Sequence, residues 1–555
     1  AFKFSILHNN DMHARYDPMK GSSEKCPKGD DEQGLCFGGF GRVATIVAKA
    51  RADSKQQTLY LNAGDTFQGT PWYTFYKGEF VAEMMNMLNP DAMSLGNHEF
   101  DDNIDGLLPF LNKVTFPVVC CNLDLRKVPQ LQGLKNLMKS TVVRKWDTPI
   151  GIIGYLTPDT KNLAAANDME YFDEIDSINN EASKLIKEGI NIIIALGHSG
   201  YKRDQEIAKK CPDIDLVIGG HSHTFLYTGE PPSKDLPEGN YPTVVIRPDG
   251  KKVPVLQAYA FTKYLGEIHL EFDNGGNLIN FRGKPILLDK SVPINSTVKA
   301  ALDAKRQKID ELDSQIVGMS KVFLNGSTCR SEECNFGNLI SDAMVYGRVT
   351  EDQGGIFWTD AAIALWNGGG IRASIDPGKE GIITGADVPT VLPFGNAIVV
   401  LRLKGFNIVK SLEHSASLRN TDSAGGFLQL SGLRVIINYN RPKGKRITSI
   451  QVLCADCTNP HYAPLDKYKY YGVVVPKFLA QGGDGHKFLN DKTTEVITMQ
   501  SIDREILSKY FQEHKVVYPT LEDRIKIVEK RRKAGAPPLR SVFLYVFLLL
   551  NTHFI

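Results

Sequence analysis

The stretch Gly96-Asn97-His98-Glu99-Phe100-Asp101 follows Ala92-Met93-Ser94-Leu95, a run that reads as a buried strand. Four other apolar runs end in the same kind of polar group. Phe4-Ser5-Ile6-Leu7 leads to Asp11 and His13, and Thr58-Leu59-Tyr60-Leu61 leads to Asp65. Ile192-Ile193-Ile194-Ala195-Leu196 leads to His198, and Leu216-Val217-Ile218 leads to His221 and His223. Short apolar, β-rich runs closed by Gly or Asn are strand-then-loop signals. Strands lying side by side would gather the five loops along one edge of a sheet, where sites are built on such scaffolds.

The residue types set the chemistry. Asp11, His13, Asp65 and His223 make one four-ligand set, and Asp65, Asn97, His198 and His221 make a second. Asp65 bridges, because a carboxylate can offer one oxygen to each ion. Nitrogen and oxygen ligands without sulfur suit Zn, Mn, Fe or Co and exclude a thiolate structural zinc site. Two such ions about 3.5–4 Å apart clamp a phosphoryl group and lower the pKa of a bound water. His98 and Asp101 are not needed as ligands, which leaves them to face a leaving group, with the carboxylate holding the ring. A single histidine after a strand is ordinarily a hydrogen-bonded structural residue. Five strand ends carrying this set together are not expected by accident.

Asp11-Met12-His13, Gly64-Asp65, Gly96-Asn97-His98-Glu99, Gly197-His198 and Gly220-His221-Ser222-His223 resemble the five motifs of the calcineurin-like phosphoesterases. Asn367-Gly368-Gly369-Gly370-Ile371-Arg372 and Gly482-Gly483-Asp484-Gly485 resemble the nucleotide-binding domain of the 5′-nucleotidases. The resemblance to the 5′-nucleotidase and apyrase family runs from about Phe2 to about Ile527. It implies an α/β fold: a four-layer α/β/β/α metallophosphoesterase sandwich followed by an α/β nucleotide-binding domain. It implies two divalent ions, Zn first with Mn or Co as alternatives, and a role for His98 and Asp101 on the departing side. It places phosphate or the ligand at Arg330, Asn367 and Arg372, the base between Phe394 and Phe478, and the ribose at Asp484. From the residues alone, two arginines suit phosphate because the guanidinium fork binds it bidentately. The three glycines let backbone N–H groups approach an anion. An isolated Phe is ordinarily core, so only the resemblance singles out the two rings.

The expected activity is extracellular hydrolysis of nucleoside 5′-monophosphates, AMP to adenosine and phosphate. The alternative within the family is a secreted apyrase taking ATP and ADP to AMP. A rival of another class, a non-catalytic nucleotide-fold binder, is expected to have lost ligands, whereas all seven metal positions and the His98/Asp101 pair are present. Two positions depart from the vertebrate ecto-enzymes. Those carry Asn where this chain has His223, and an aromatic where Asp484-Gly485 is followed by His486-Lys487. Dimerisation through the second domain occurs in those enzymes, so a homodimer is the expectation by analogy.

Length gives two to four domains for 555 residues, and a net charge of +2 gives no reason to expect nucleic acid. The reading divides the chain into a metallophosphoesterase domain (1–290), a helical linker (291–320), a substrate-binding domain (321–530) and a tail (531–555). The linker is expected as one helix from Ser296 to about Ile316 with Thr297 as N-cap, since Val298, Leu302, Ile309, Leu312 and Ile316 recur near helical spacing. Gly38-Gly39-Phe40-Gly41-Arg42 lacks the Lys-Ser/Thr of a phosphate loop and reads as entry to a helix reaching about Ala52. Tyr227–Pro242 reads as a surface loop.

Of nine cysteines, Cys26/Cys36, Cys329/Cys334 and Cys454/Cys457 read as loop-closing disulfides of an oxidising compartment, with Cys120, Cys121 and Cys211 as buried thiols. Redox chemistry at Cys454-Ala455-Asp456-Cys457 is the alternative, but no thioredoxin-like pattern surrounds it. The start at Ala1-Phe2-Lys3-Phe4, almost directly on a strand, reads as a mature end. Sequons at Asn295 and Asn325 fit a secreted glycoprotein. In the tail, Ala534-Gly535-Ala536, a short spacer and the run Val542–Leu550 resemble a GPI-attachment signal, which would be the chain's membrane attachment. An uncleaved apolar tail on a secreted enzyme is the alternative.

Overall fold

A computed structural model describes residues 2–529 apart from 22, 54–56, 145, 166, 352–355 and 491–494. The five apolar runs are strands, but they belong to two sheets. Phe2–Asn9, Thr58–Asn62 and Ala92–Ser94 are parallel neighbours at the centre of an eight-stranded sheet. Ile192–His198 and Leu216–Ile218 are parallel neighbours in a six-stranded sheet, beside Ile150–Leu156. The expectation of one shared sheet edge is therefore corrected: two sheets stack face to face and bring their loop ends together.

Alternation along each strand explains the stacking, because successive side chains point to opposite faces. Ile6, Leu59 and Leu61 from the first sheet pack against Ile152, Ile192, Ile194, Leu196 and Ile218 from the second. Leu7, Tyr60 and Met93 point the other way, onto the helices Phe40–Ala52, Pro71–Leu88 and Asn103–Lys113. Ile193, Ala195 and Val217 likewise meet the helices Glu174–Lys187 and Tyr201–Lys210. Strands buried on both faces read as continuous apolar runs, and the result is the four-layer α/β/β/α sandwich.

The second half has its own core. A five-stranded sheet runs in the order Leu428–Ser431, Ile363–Asn367, Tyr470–Pro476, Ala397–Lys404, Val496–Ile502. Helices Asn335–Glu351 and Asp503–His514 cover one face, and Gly405–Leu418 covers the other.

The linker differs from its expectation. It holds two helices, Ser296–Asp303 and Gln307–Ser314, and Ile316 begins a strand, Ile316–Ser320. The N-cap is Asn295, whose side chain accepts from the N–H groups of Thr297 and Val298. The break at residues 304–306 is pinned to the first half. Arg306 Nη2 donates to Asp17 Oδ1 at 2.6 Å, its guanidinium lies 5.2 Å from the Trp72 ring, and Tyr76 donates to the Lys305 carbonyl at 2.6 Å. These contacts between segments decide what a helical period cannot.

Disulfides join Cys26–Cys36, Cys329–Cys334 and Cys454–Cys457, while Cys120, Cys121 and Cys211 are buried thiols. The pairing at Cys454–Cys457 closes a short loop at the surface. Among the described residues no helix is long and apolar enough to cross a membrane. The tail 531–555 lies outside the described residues.

Candidate active site

The loops after the five strands converge. Asp11 Oδ1 lies 3.2 Å from His223 Nε2 and 3.6 Å from His198 Nε2. His13 Nε2 and His223 Nε2 are 3.2 Å apart. Asp65 Oδ2 is 2.9 Å from His198 Nε2 and 3.8 Å from His13 Nε2, so it sits between two clusters. Asn97 Oδ1 is 2.9 Å from His221 Nδ1. Asp11/His13/His223 and Asp65/His198/His221 each present ligand atoms within 4.8 Å of one another. The structure thus brings the seven expected ligand positions close together, and it groups His98 with His13 and Asp65 as well.

The donor set fits divalent ions. Asp11 Oδ1 and His198 Nε2 are buried and make no well-aligned hydrogen bond, only ion-pair contacts to His223 and Asp65. Such orphans are costly unless something else engages them. The other Asp11 oxygen accepts from Asn10 Nδ2 and the His221 N–H, which aims the first inward. His13 Nδ1 donates to the Phe67 carbonyl at 3.2 Å and His198 Nδ1 to the Ala63 carbonyl at 2.7 Å. Each carbonyl accepts the Nδ1 proton, so Nε2 is the ring atom turned toward the cluster. Burial holds His13 well below the usual imidazole range and brings His221 to about 3, and it lowers His223 too. Neutral rings are the form that binds metal. Burial also opposes charge on His198, but the Asp65 and Asp11 carboxylates outweigh it and push that ring up to about 10.

The backbone is strained where it serves the site. Asp11, His13, Asp65, His221 and His223 all have positive φ, between 49° and 78°. For residues other than glycine this conformation persists only where the surroundings impose it, and such residues cluster at functional sites.

His98 stands beside the clusters. Its Nδ1 donates to Asp101 Oδ2 at 2.6 Å, and its Nε2 lies 4.0 Å from Asp65 Oδ2. Burial works against a charged ring, but Asp101 and Asp65 overcome it and raise His98 above the usual range. The His98 ring stacks on Phe394 with centroids 5.7 Å apart. This contact joins the two halves of the chain at the site.

The positions expected to hold nucleotide line the same cavity, of about 340 Å³: Arg330, Asn367, Arg372, Phe394, Phe478 and Asp484 from the second half, with Asp65, Asn97, His98, Asp101, His221 and His223 from the first. Arg372 Nη2 donates to His13 Nε2 at 3.1 Å, and its guanidinium lies 5.8 Å from the Phe394 ring. Asn367 Nδ2 donates to Asp484 Oδ2 at 2.8 Å. Burial depresses Arg330 to about 10, and the positive charge of Arg372 adds to the effect. Two half-buried cations facing one cavity suit an anion between them.

Two further residues come from the structure. Glu99 is fully buried and accepts hydrogen bonds from the Asp65, Thr66, Phe67 and Gly96 N–H groups. Its place beside Asn97-His98 was the only sequence signal. His486, which follows Asp484-Gly485, is buried away from this cavity. It lies edge-on to His414 with centroids 4.7 Å apart, and its Nε2 donates to the Gly426 carbonyl at 2.8 Å.

Residues 4–225 match the calcineurin-like phosphoesterase family, and residues 316–491 match the 5′-nucleotidase C-terminal domain. A 5′-nucleotidase of Mus musculus is 42% identical over 558 residues, which cover 99% of this chain and 95% of that one. This chain belongs to the 5′-nucleotidase family. A snake venom 5′-nucleotidase of Naja atra is 41% identical over 531 residues, 95% of this chain and 98% of its own. The crystal structure of a 5′-nucleotidase precursor from Thermus thermophilus superposes with a TM-score of 0.86 at 36% identity, covering 95% of this chain and all of that one. As a 5′-nucleotidase family member with a calcineurin-like phosphoesterase domain, the chain is a phosphohydrolase, and that domain implies divalent metal ions.

Proposed function

We propose that this chain hydrolyses nucleoside 5′-monophosphates, AMP to adenosine and phosphate, outside the cell. The observation that carries the reading is one cavity lined by His223 of one cluster, by Asp65, Asn97 and His221 of the other, and by the six nucleotide positions. The relatives from Mus musculus and Naja atra, which match over nearly their whole length, are 5′-nucleotidases, so the apyrase alternative is not favoured.

Asp11, His13, Asp65 and His223 would hold one ion, and Asp65, Asn97, His198 and His221 the other, with Zn first and Mn or Co as alternatives. Bound there, two ions supply Lewis-acid stabilisation of phosphoryl oxygens and a more acidic water. Arg330 and Arg372 bind the phosphate through their forks and neutralise its charge. Phe394 and Phe478 take the base between their rings, and Asp484, held by Asn367, accepts from the ribose hydroxyls. The protonated His98 ring, held by Asp101, donates toward the phosphoryl group or the departing oxygen.

Phosphate release from AMP, ADP and ATP with added Zn, Mn or Co tests the reading. Turnover of AMP with little release from ADP or ATP is expected. Preferred release from ATP and ADP, stopping at AMP, would identify an apyrase, and tight nucleotide binding without release would identify a binder.

Stacking makes a separate prediction. Phe394→Ala and Phe478→Ala should each weaken AMP by about 1–3 kcal/mol, the range for a base on an aromatic ring. Hydrolysis of p-nitrophenyl phosphate should change far less. Equal losses on both substrates would make the rings structural. We propose in addition that the tail 531–555 is a GPI-attachment signal, so phosphatidylinositol-specific phospholipase C should release the enzyme from expressing cells. Size-exclusion chromatography with light scattering tests the homodimer.

A further inference from the structure

We infer that Glu99 is a positioning residue for the metal centre: its carboxylate ties the Asp65 loop to the Asn97 loop and so sets the affinity for the ions. The inference rests on the two-ion reading above. The carboxylate is fully buried, and among the described residues it has no ion pair with a lysine or arginine. Backbone N–H groups satisfy it instead. Oε2 accepts from Asp65 N at 2.9 Å and Gly96 N at 2.6 Å. Oε1 accepts from Thr66 N at 2.7 Å, Thr66 Oγ1 at 2.8 Å and Phe67 N at 3.2 Å. One side chain therefore binds both loops, the one after Thr58–Asn62 and the one after Ala92–Ser94.

The two loops are in backbone contact where Glu99 joins them. A Cβ on Gly64 would lie 2.5 Å from Gly96 N, and one on Gly96 would lie 2.2 Å from Asp65 Oδ1. Asp65 itself has φ 55°, a conformation that needs outside support. The N–H of Asp65 on Glu99 supplies that support directly. The His98 N–H donates to Asp65 Oδ1 at 2.9 Å from the other loop, which leaves Oδ2 beside His198 and His13. Glu99 offers no oxygen to the ligand atoms of either cluster, so its effect passes through the orientation of Asp65 and Asn97. Partners of this outer kind typically change metal affinity or activity by roughly 10–100-fold when removed.

Glu99→Gln keeps the shape but replaces one acceptor oxygen by an amide that donates, which turns it against at least two N–H groups. Titration of the metal-depleted protein with Zn against a chromophoric chelator is expected to show affinity weaker by about 10–100-fold. Activity should fall at limiting Zn and recover as Zn is raised, with KM for AMP near that of the wild type at saturation. Unchanged Zn affinity in a folded Glu99→Gln protein would overturn the inference. Should that variant fail to fold, Thr66→Val removes only the hydroxyl bond to Oε1, and a few-fold loss of Zn affinity is then expected; no loss would count against the proposal. If the wild type binds no Zn at all, the two-ion reading fails, which is a different result from equal affinity in wild type and variant.

Discussion

Asp65→Asn is expected to lose at least one of the two ions and nearly all hydrolysis. Asp65 Oδ2 lies 2.9 Å from His198 Nε2 in one cluster and 3.8 Å from His13 Nε2 in the other. It is the only carboxylate shared by the two expected ligand sets. Asn keeps one oxygen and turns an N–H₂ donor toward the lone pairs of the rings, so it can serve at most one ion. The remaining carboxylate of the seven positions, Asp11, would then face the rings of both groups alone. The fall in kcat/KM should exceed the roughly 10²–10³ that loss of a single stabilising donor costs. Inductively coupled plasma mass spectrometry gives ions per chain, and phosphate release gives the rate. Chelation of the wild type should reproduce the loss, and Zn, Mn or Co should restore it. Two ions per chain with near-native turnover in Asp65→Asn would show that the centre does not share this carboxylate.

His98→Asn is expected to keep both ions and lose kcat by about 10²–10³, with Asp101→Asn losing less. His98 Nδ1 is committed to Asp101 at 2.6 Å, which leaves Nε2 to donate into the cavity. Asp101 and Asp65 raise the ring against the effect of burial, so its protonated form extends above the usual imidazole range. The sign follows: a group needed protonated contributes below its raised pKa and is lost as pH rises through it. The wild-type kcat should therefore decline on the alkaline side, and that limb should be absent in His98→Asn. His98 also groups with His13 and Asp65 as a third set of possible ligand atoms, which makes metal content decisive. Loss of one ion per chain in His98→Asn would reassign His98 as a ligand.

Much of the centre was legible because it is built from local units. The seven expected ligands follow five apolar runs by a few residues, and strand runs are recognised by residue type and length. Ile192–Leu196 has no polar alternation, which already requires cover on both faces and hence helices on the outside of the sheets. The short Cys–Cys separations marked the disulfides in the same local way. The nucleotide positions were legible only through family resemblance, because an arginine or a phenylalanine carries no local sign of facing a cavity.

The strands, the candidate ligand residues at their ends, the paired cysteines and the order of the two halves are all written into short local stretches of sequence. Only the tertiary structure decided that two sheets, not one, supply the loops. It placed Arg372 on His13 across 359 positions and stacked Phe394 on His98. It broke the linker at residues 304–306 through contacts to Asp17, Trp72 and Tyr76, and it sent His486 into packing. It also gave Glu99 its partners. The physical reason is common to all of these. Period and propensity act over neighbouring residues, whereas the register that sets Asn62 beside Met93, and the stacking of one sheet on another, are decided by packing between distant segments.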